Sequence, residues 1–270
     1  MIKRILIVGG ANGIGLSIAH ELAQRETTEK IYVVDKAPLD EQYRHRKIEV
    51  FQFDLTSNDY IFFDQFIDVN ALMITAGFGK LALFKDVSEQ HIIDSFNVNT
   101  IPVLRLIKRF YHKLEKKEDF YCGVMDSIAG WMSSPFFAVY GATKAALKIF
   151  IESVNVELIK SGVTNQILNV SPGTIKGTGF YAGQTDLSKT RELALQIIEN
   201  MEMKKDLFIP QYDTVYHTVL ERYNKDFRAE GAHSYEYKRQ TVKDRITPPH
   251  CRITSKSQAI NKLQHLACAA

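Results

Sequence analysis

The chain has 270 residues, 45% of them hydrophobic and 24% charged, which is enough for one sizeable α/β core. A formal net charge of +3, with basic residues scattered along the chain, argues against nucleic acid or an anionic membrane as partner. Three widely separated cysteines, Cys122, Cys251 and Cys268, give neither a disulfide framework nor metal-ligand spacing; free thiols in a reducing compartment are expected, and no metal site.

In chain order, "IKRILIVG" (2–9) reads as a buried strand. Its apolar run is too short for a secretory leader and ends in glycines. "GIGLSIAHELAQRE" (13–26) has the spacing of an amphipathic helix, and "KIYVVD" (30–35), "IEVFQFD" (48–54) and "NALMITAG" (70–77) are strands. Residues 88–117 form one long helical pattern capped by Ser88, with Pro102 distorting its interior. "FYCGVMDS" (120–127) is a strand, 138–161 a helix and "NQILNVSPG" (165–173) a strand; 187–203 and 211–228 look helical. Beyond 229 little periodicity remains, and residues 246–270 read as a loose tail, a crossing arm or an appended remnant. No segment is long and apolar enough to span a membrane, so a cytoplasmic protein is expected. Alternating strands and helices predict a Rossmann-like, doubly wound parallel sheet with helices on both faces, in a single domain.

"LIVGGANGIGLS" spaces Gly9, Gly13 and Gly15 between the first strand and the first helix. Glycines there permit positive φ and close approach of a phosphate, and the helix N-terminus offers N–H groups to a pyrophosphate. A tight turn without a ligand is the alternative. Asp35 ends the second strand, where a carboxylate accepts from the ribose hydroxyls of adenosine and repels a 2′-phosphate. NAD is therefore expected, with NADP second; Lys36, next in sequence, works against that preference. Asp54 ends the third strand, suited either to the adenine amino group or to a turn.

Tyr-x-x-x-Lys occurs at Tyr32/Lys36, Tyr43/Lys47 and Tyr140/Lys144. Only the third pair opens a helix and follows a strand-end serine, Ser127, with Asn99 inside the preceding long helix. Taken in order, "GGANGIG", "FDLTS", "ITAG", "FNVNT", Ser127 with "YGATK", and "NVSPG" resemble a short-chain dehydrogenase/reductase of the compact, single-domain branch, over roughly residues 1–178. The resemblance implies hydride transfer between nicotinamide and a secondary alcohol or ketone. It makes Tyr140 the general acid or base, Lys144 the cation that draws the phenol toward ionisation and holds the nicotinamide ribose, and Ser127 the donor to the substrate oxygen. Asn99 would hold a water relaying protons from Lys144. The dinucleotide would be bound by Gly9, Asn12, Gly13, Ile14, Gly15, Asp35, Asp54, Leu55, Ala76, Gly77, Pro172, Gly173 and Ile175, together with Tyr140 and Lys144. A homodimer or homotetramer is implied through the helices at 88–117 and 138–161.

The chain departs from the family pattern in several places. Thr75 stands for the usual Asn before Ala76-Gly77, and Asp126 replaces a common second serine. The connections at 36–47 and 55–69 are short, and a closing Asp-Gly-Gly turn is missing. Residues 1–228 are read as the NAD(P)-binding oxidoreductase domain and 229–270 as a C-terminal extension. Trp131, Met132, Phe136, Phe180 and Tyr181 either wall an apolar substrate pocket or pack in the core or an interface. A non-catalytic nucleotide-binding regulator of the same fold, and an NAD-retaining sugar epimerase or dehydratase, are the competing functions.

Overall fold

The computed structural model describes residues 1–181 and 184–246, with Tyr181 and the last six of these by backbone alone. Seven strands, β1 (Arg4–Val8), β2 (Lys30–Asp35), β3 (Ile48–Gln52), β4 (Ala71–Ile74), β5 (Tyr121–Met125), β6 (Ile167–Val170) and β7 (Leu207–Phe208), form one parallel sheet in the order β3-β2-β1-β4-β5-β6-β7. Strand alternation divides the core. Ile5 and Ile7 of β1 pack with Ile18 and Leu22 of α1 (Gly13–Ala23) and with Ile197 and Ile198 of α5 (Leu187–Glu202). Leu6 and Val8 face the other layer, with Leu106 and Phe110 of α3 (Ile101–Leu114) and Leu147 and Ile151 of α4 (Ala138–Lys160). Each such fully buried aliphatic side chain contributes about 2 kcal/mol.

The helical run expected over 88–117 is two helices, α2 (Glu89–Asn99) and α3, separated at Thr100 (φ −119°, ψ −62°). Pro102 occupies the first turn of α3, where its missing N–H has no intrahelical acceptor to serve, so the chain breaks cleanly instead of kinking. Thr100 Oγ1 donates to the Thr143 carbonyl at 3.1 Å and fixes the break against α4. Ser88 caps α2 as expected, its hydroxyl accepting from His91 N–H at 3.2 Å.

Between β2 and β4 the connections hold only short 3-10 turns (Glu41–Tyr43 and Tyr60–Gln65). Tyr60, Phe62, Phe63 and Phe66 fill the place of a covering helix and pack on Phe51 and Phe53. After β7 the chain turns through α6 (His217–Lys225) into α7 (Phe227–Ile246). The region read as lacking periodicity is thus helical as far as residue 246; residues 247–270, including Cys251 and Cys268, lie outside the described part.

Candidate active site

All the strands run in one direction, and the order reverses between β1 and β4, so a crevice opens at their carboxyl ends beside the turn into α1. Gly9 has φ +90°, and a Cβ added there would lie 2.4 Å from the Ala76 backbone nitrogen. At Gly15 an added Cβ would meet the Gly9 carbonyl oxygen and Thr75 Oγ1, each at 2.4 Å. Thr75, in place of the usual Asn, donates from Oγ1 to the Gly9 carbonyl (2.8 Å), tying the loop after β4 to the glycine turn. Gly13 N–H, at the start of α1, donates to Thr185 Oγ1 at 3.1 Å. The segment after β6 therefore folds across this turn.

Asp35 holds two neighbours. Oδ2 accepts from Ala11 N–H and Oδ1 from Ala37 N–H, both at 3.0 Å, so the carboxylate bridges the glycine turn and the end of β2. Asp54 Oδ1 accepts from the Thr56 N–H and hydroxyl, both at 2.8 Å, and these bonds hold its carboxyl below the usual carboxylate range. Asp35, Asp54, Leu55 and Ala76 share a cavity of about 400 Å³ with Gly9, Asn12 and Gly77. An adjoining cavity of about 600 Å³ is lined by Gly9, Asn12, Gly13, Ile14, Gly15, Gly77, Ser127, Tyr140, Lys144, Pro172, Gly173 and Ile175. A cradle that admits no Cβ, next to helical N–H groups and a carboxylate at the β2 end, has the shape and chemistry for a dinucleotide.

Tyr140 and Lys144 lie one turn apart on α4. The Lys144 ammonium is 5.7 Å from the Tyr140 ring centroid and donates to the Met125 carbonyl at 2.7 Å. It is only 2% exposed; burial pushes its pKa down, and the nearby Asp126 carboxylate pushes it back up. Asp126 itself is driven up to about 6 by burial, against the pull of Lys144 and a 3.1 Å hydrogen bond from Asn169 Nδ2. Burial dominates at both groups. A chain of hydrogen bonds supports this carboxyl: Trp131 Nε1 donates to Ser171 Oγ (2.9 Å), and Ser171 donates to Asn169 Oδ1 (2.7 Å). Asp126 Oδ1 has no hydrogen-bond partner among the described residues.

Ser127 both caps a short turn, its Oγ accepting from Ala129 N–H at 3.2 Å, and lines the cavity. Its own hydrogen meets the Pro172 carbonyl at 3.5 Å, the long limit of such a bond, so the hydroxyl keeps donor capacity. Asn99 is fully buried and stands behind the cavity wall. Its Oδ1 accepts from Phe78 N–H (2.9 Å) and its Nδ2 donates to the Phe78 carbonyl (2.8 Å) and to Thr143 Oγ1 (3.2 Å). This side chain clamps the loop after Gly77.

Of the residues expected to wall the pocket, Met132 and Phe180 line it, beside Phe137. Phe180 packs on Tyr140 with ring centroids 5.1 Å apart. Trp131 instead anchors the Asp126 network, and Phe136 packs on Tyr235; the Tyr181 side chain lies outside the described atoms. Residues that the sequence reading passed over close the far side: Tyr216 and Val219 with Arg222 of α6, and Glu230, Ser234 and Lys238 of α7. Only alternation of charged and apolar residues over 215–238 hinted at them.

The chain belongs to the short-chain dehydrogenase family, whose sequence profile matches residues 3–187. It is 29% identical over 182 residues to an uncharacterised short-chain type dehydrogenase/reductase of Sinorhizobium fredii, covering 65% of this chain and 71% of that one. Retinol dehydrogenase 8 of Bos taurus is 24% identical over 231 residues, 80% of this chain and 73% of that protein. Among solved structures, a short-chain dehydrogenase from Streptomyces avermitilis superposes with a TM-score of 0.69 at 20% identity, covering 88% of this chain and 99% of that one. ElxO with NADP bound superposes with a TM-score of 0.63 at 18% identity, over 78% and 99%. The protein is thus an oxidoreductase by family. No described helix is long and apolar enough to cross a membrane.

Proposed function

We propose that the protein interconverts a secondary alcohol and a ketone using a nicotinamide dinucleotide, with Tyr140 as general acid and base. The observation that carries this reading is that Tyr140, Lys144 and Ser127 line the same cavity as the glycine turn. The cofactor, when bound, supplies or accepts the hydride. Gly9, Asn12, Gly13, Ile14 and Gly15 would hold its pyrophosphate, Asp35 the adenosine ribose, Asp54 and Leu55 the adenine end, and Ala76, Gly77, Pro172, Gly173 and Ile175 the nicotinamide half. Ser127 orients the substrate oxygen and Tyr140 passes a proton to or from it. The buried Lys144 cation, one turn away, stabilises phenolate over phenol. Asn99, whose side-chain amide also holds Phe78, would hold a water relaying protons from Lys144.

NAD is the proposed cofactor, because a carboxylate at Asp35 repels a 2′-phosphate; the structural neighbour ElxO binds NADP, so Asp35 is the residue to test. A cytoplasmic homo-oligomer is proposed, its association supported by the exposed Ile149, Val156 and Ile159 of α4 and Ile93 of α2. Tyr140→Phe is expected to remove turnover on a panel of ketones while NADH affinity stays within about threefold. Unchanged turnover refutes the assignment. NADH binding without turnover by the wild-type protein on a broad panel would favour a regulator, and NAD retained without net redox change would favour an epimerase.

A further inference from the structure

Helix α7 carries a lysine into the substrate side of the cavity, and its surroundings define a ligand. Lys238 Nζ donates to Ser134 Oγ at 2.7 Å and lies 5.6 Å from the Phe137 ring centroid. Both residues line the cavity with Tyr140. The other charged groups there are opposed in sets. Arg222 donates twice to Glu230, at 2.8 and 3.0 Å, and Lys144 faces Asp126. Among the described residues no carboxylate forms an ion pair with Lys238. Burial pushes its ammonium down to about 8, with no neighbouring charge compensating. The lining therefore carries one ammonium with no ion-paired carboxylate among the described residues, while His233, also in the lining, lies beside the Arg222–Glu230 pair. Approach of α7 to this wall is close: a Cβ added at Gly231 would lie 2.9 Å from Ser133 Oγ.

We propose that the substrate carries a carboxylate at the end remote from its reacting carbon, held by Lys238 and the Ser134 hydroxyl, with an apolar body against Phe137 and Phe180. This rests on the oxidoreductase reading and names its substrate class, an apolar hydroxy or keto acid. A single ammonium with one hydroxyl matches the single charge of a carboxylate; a phosphate dianion would call for further cations, and Arg222, the guanidinium in the same lining, is committed to Glu230.

The test is a binding measurement on the full chain that needs neither cofactor nor turnover: calorimetry with 4-phenylbutyrate and its neutral isostere 4-phenylbutanamide. The acid is expected to bind about tenfold more tightly than the amide. In Lys238→Met the two affinities should converge, and in Lys238→Arg the preference should return; Lys238→Gln is the second neutral variant should the methionine variant not fold. Equal affinities in the wild type, no measurable binding of the acid, or a preference that survives in the neutral variant overturns the proposal. Failure here leaves the oxidoreductase reading intact, because that reading is judged separately by NADH binding and by Tyr140→Phe.

Discussion

Replacing Asp126 with asparagine should change how stability depends on pH, by an amount the structure sets. The carboxyl is 1% exposed, and burial raises its pKa from 3.8 to about 6. Between those values the native state holds a proton that the unfolded chain releases. The stability contributed by this group is thus fully present below about pH 4 and is lost as pH rises through about 6. The displacement corresponds to about 3 kcal/mol. Asn keeps an oxygen to accept from Asn169 Nδ2 but has no charge to bury. The variant's stability relative to wild type should therefore improve by up to about 3 kcal/mol between pH 4 and pH 8, with pH-independent effects of the substitution cancelling in the comparison. Urea unfolding at one-unit pH intervals, followed by circular dichroism and by the fluorescence of Trp131, the chain's single tryptophan and a member of the same network, measures this directly. A difference that stays constant across the range, or a wild type that gains on the variant as pH rises, refutes the reasoning.

Two further outcomes follow from the cofactor cradle. Gly9→Ala forces a Cβ to 2.4 Å from the Ala76 nitrogen at φ +90°; a loss of about 2 kcal/mol or more and at least about tenfold weaker NADH binding are expected by thermal unfolding and fluorescence titration. An unchanged Tm would show that the turn relaxes. Asp35→Asn retains one acceptor for Ala11 or Ala37 while removing the charge, and should raise the affinity for NADPH relative to NADH by about tenfold. An unaltered ratio would show that Asp35 serves the loop alone.

How far the sequence carried this reading varies with the kind of signal involved. Buried parallel strands announce themselves as continuous apolar runs, and the glycine turn, Ser127 and the Tyr140/Lys144 pair stand at spacings that survive into the fold. Ser127 and Asp35 illustrate a limit, because residue type and spacing point to a functional role while the structure has each also forming structural bonds at the cavity edge. Pro102 signalled a distortion, but a full break at Thr100 was not legible because apolar spacing continues in phase on both sides. Helix α7 was missed for a different reason. Its inward residues are charged or hydroxylated and contact a cavity, so no apolar stripe marks the buried side.

The two hydrophobic clusters that hold the sheet draw on no described residue beyond Phe208. Helices α6 and α7 are joined to each other by Arg222 with Glu230, and α7 meets the rest of the chain through Lys238 with Ser134 and through Tyr235 packed on Phe136. The framework that supplies the folding energy thus ends before the helices that close one wall of the cavity. Substitutions over residues 215–238 would therefore reshape that wall while leaving the glycine turn and the sheet beneath it untouched.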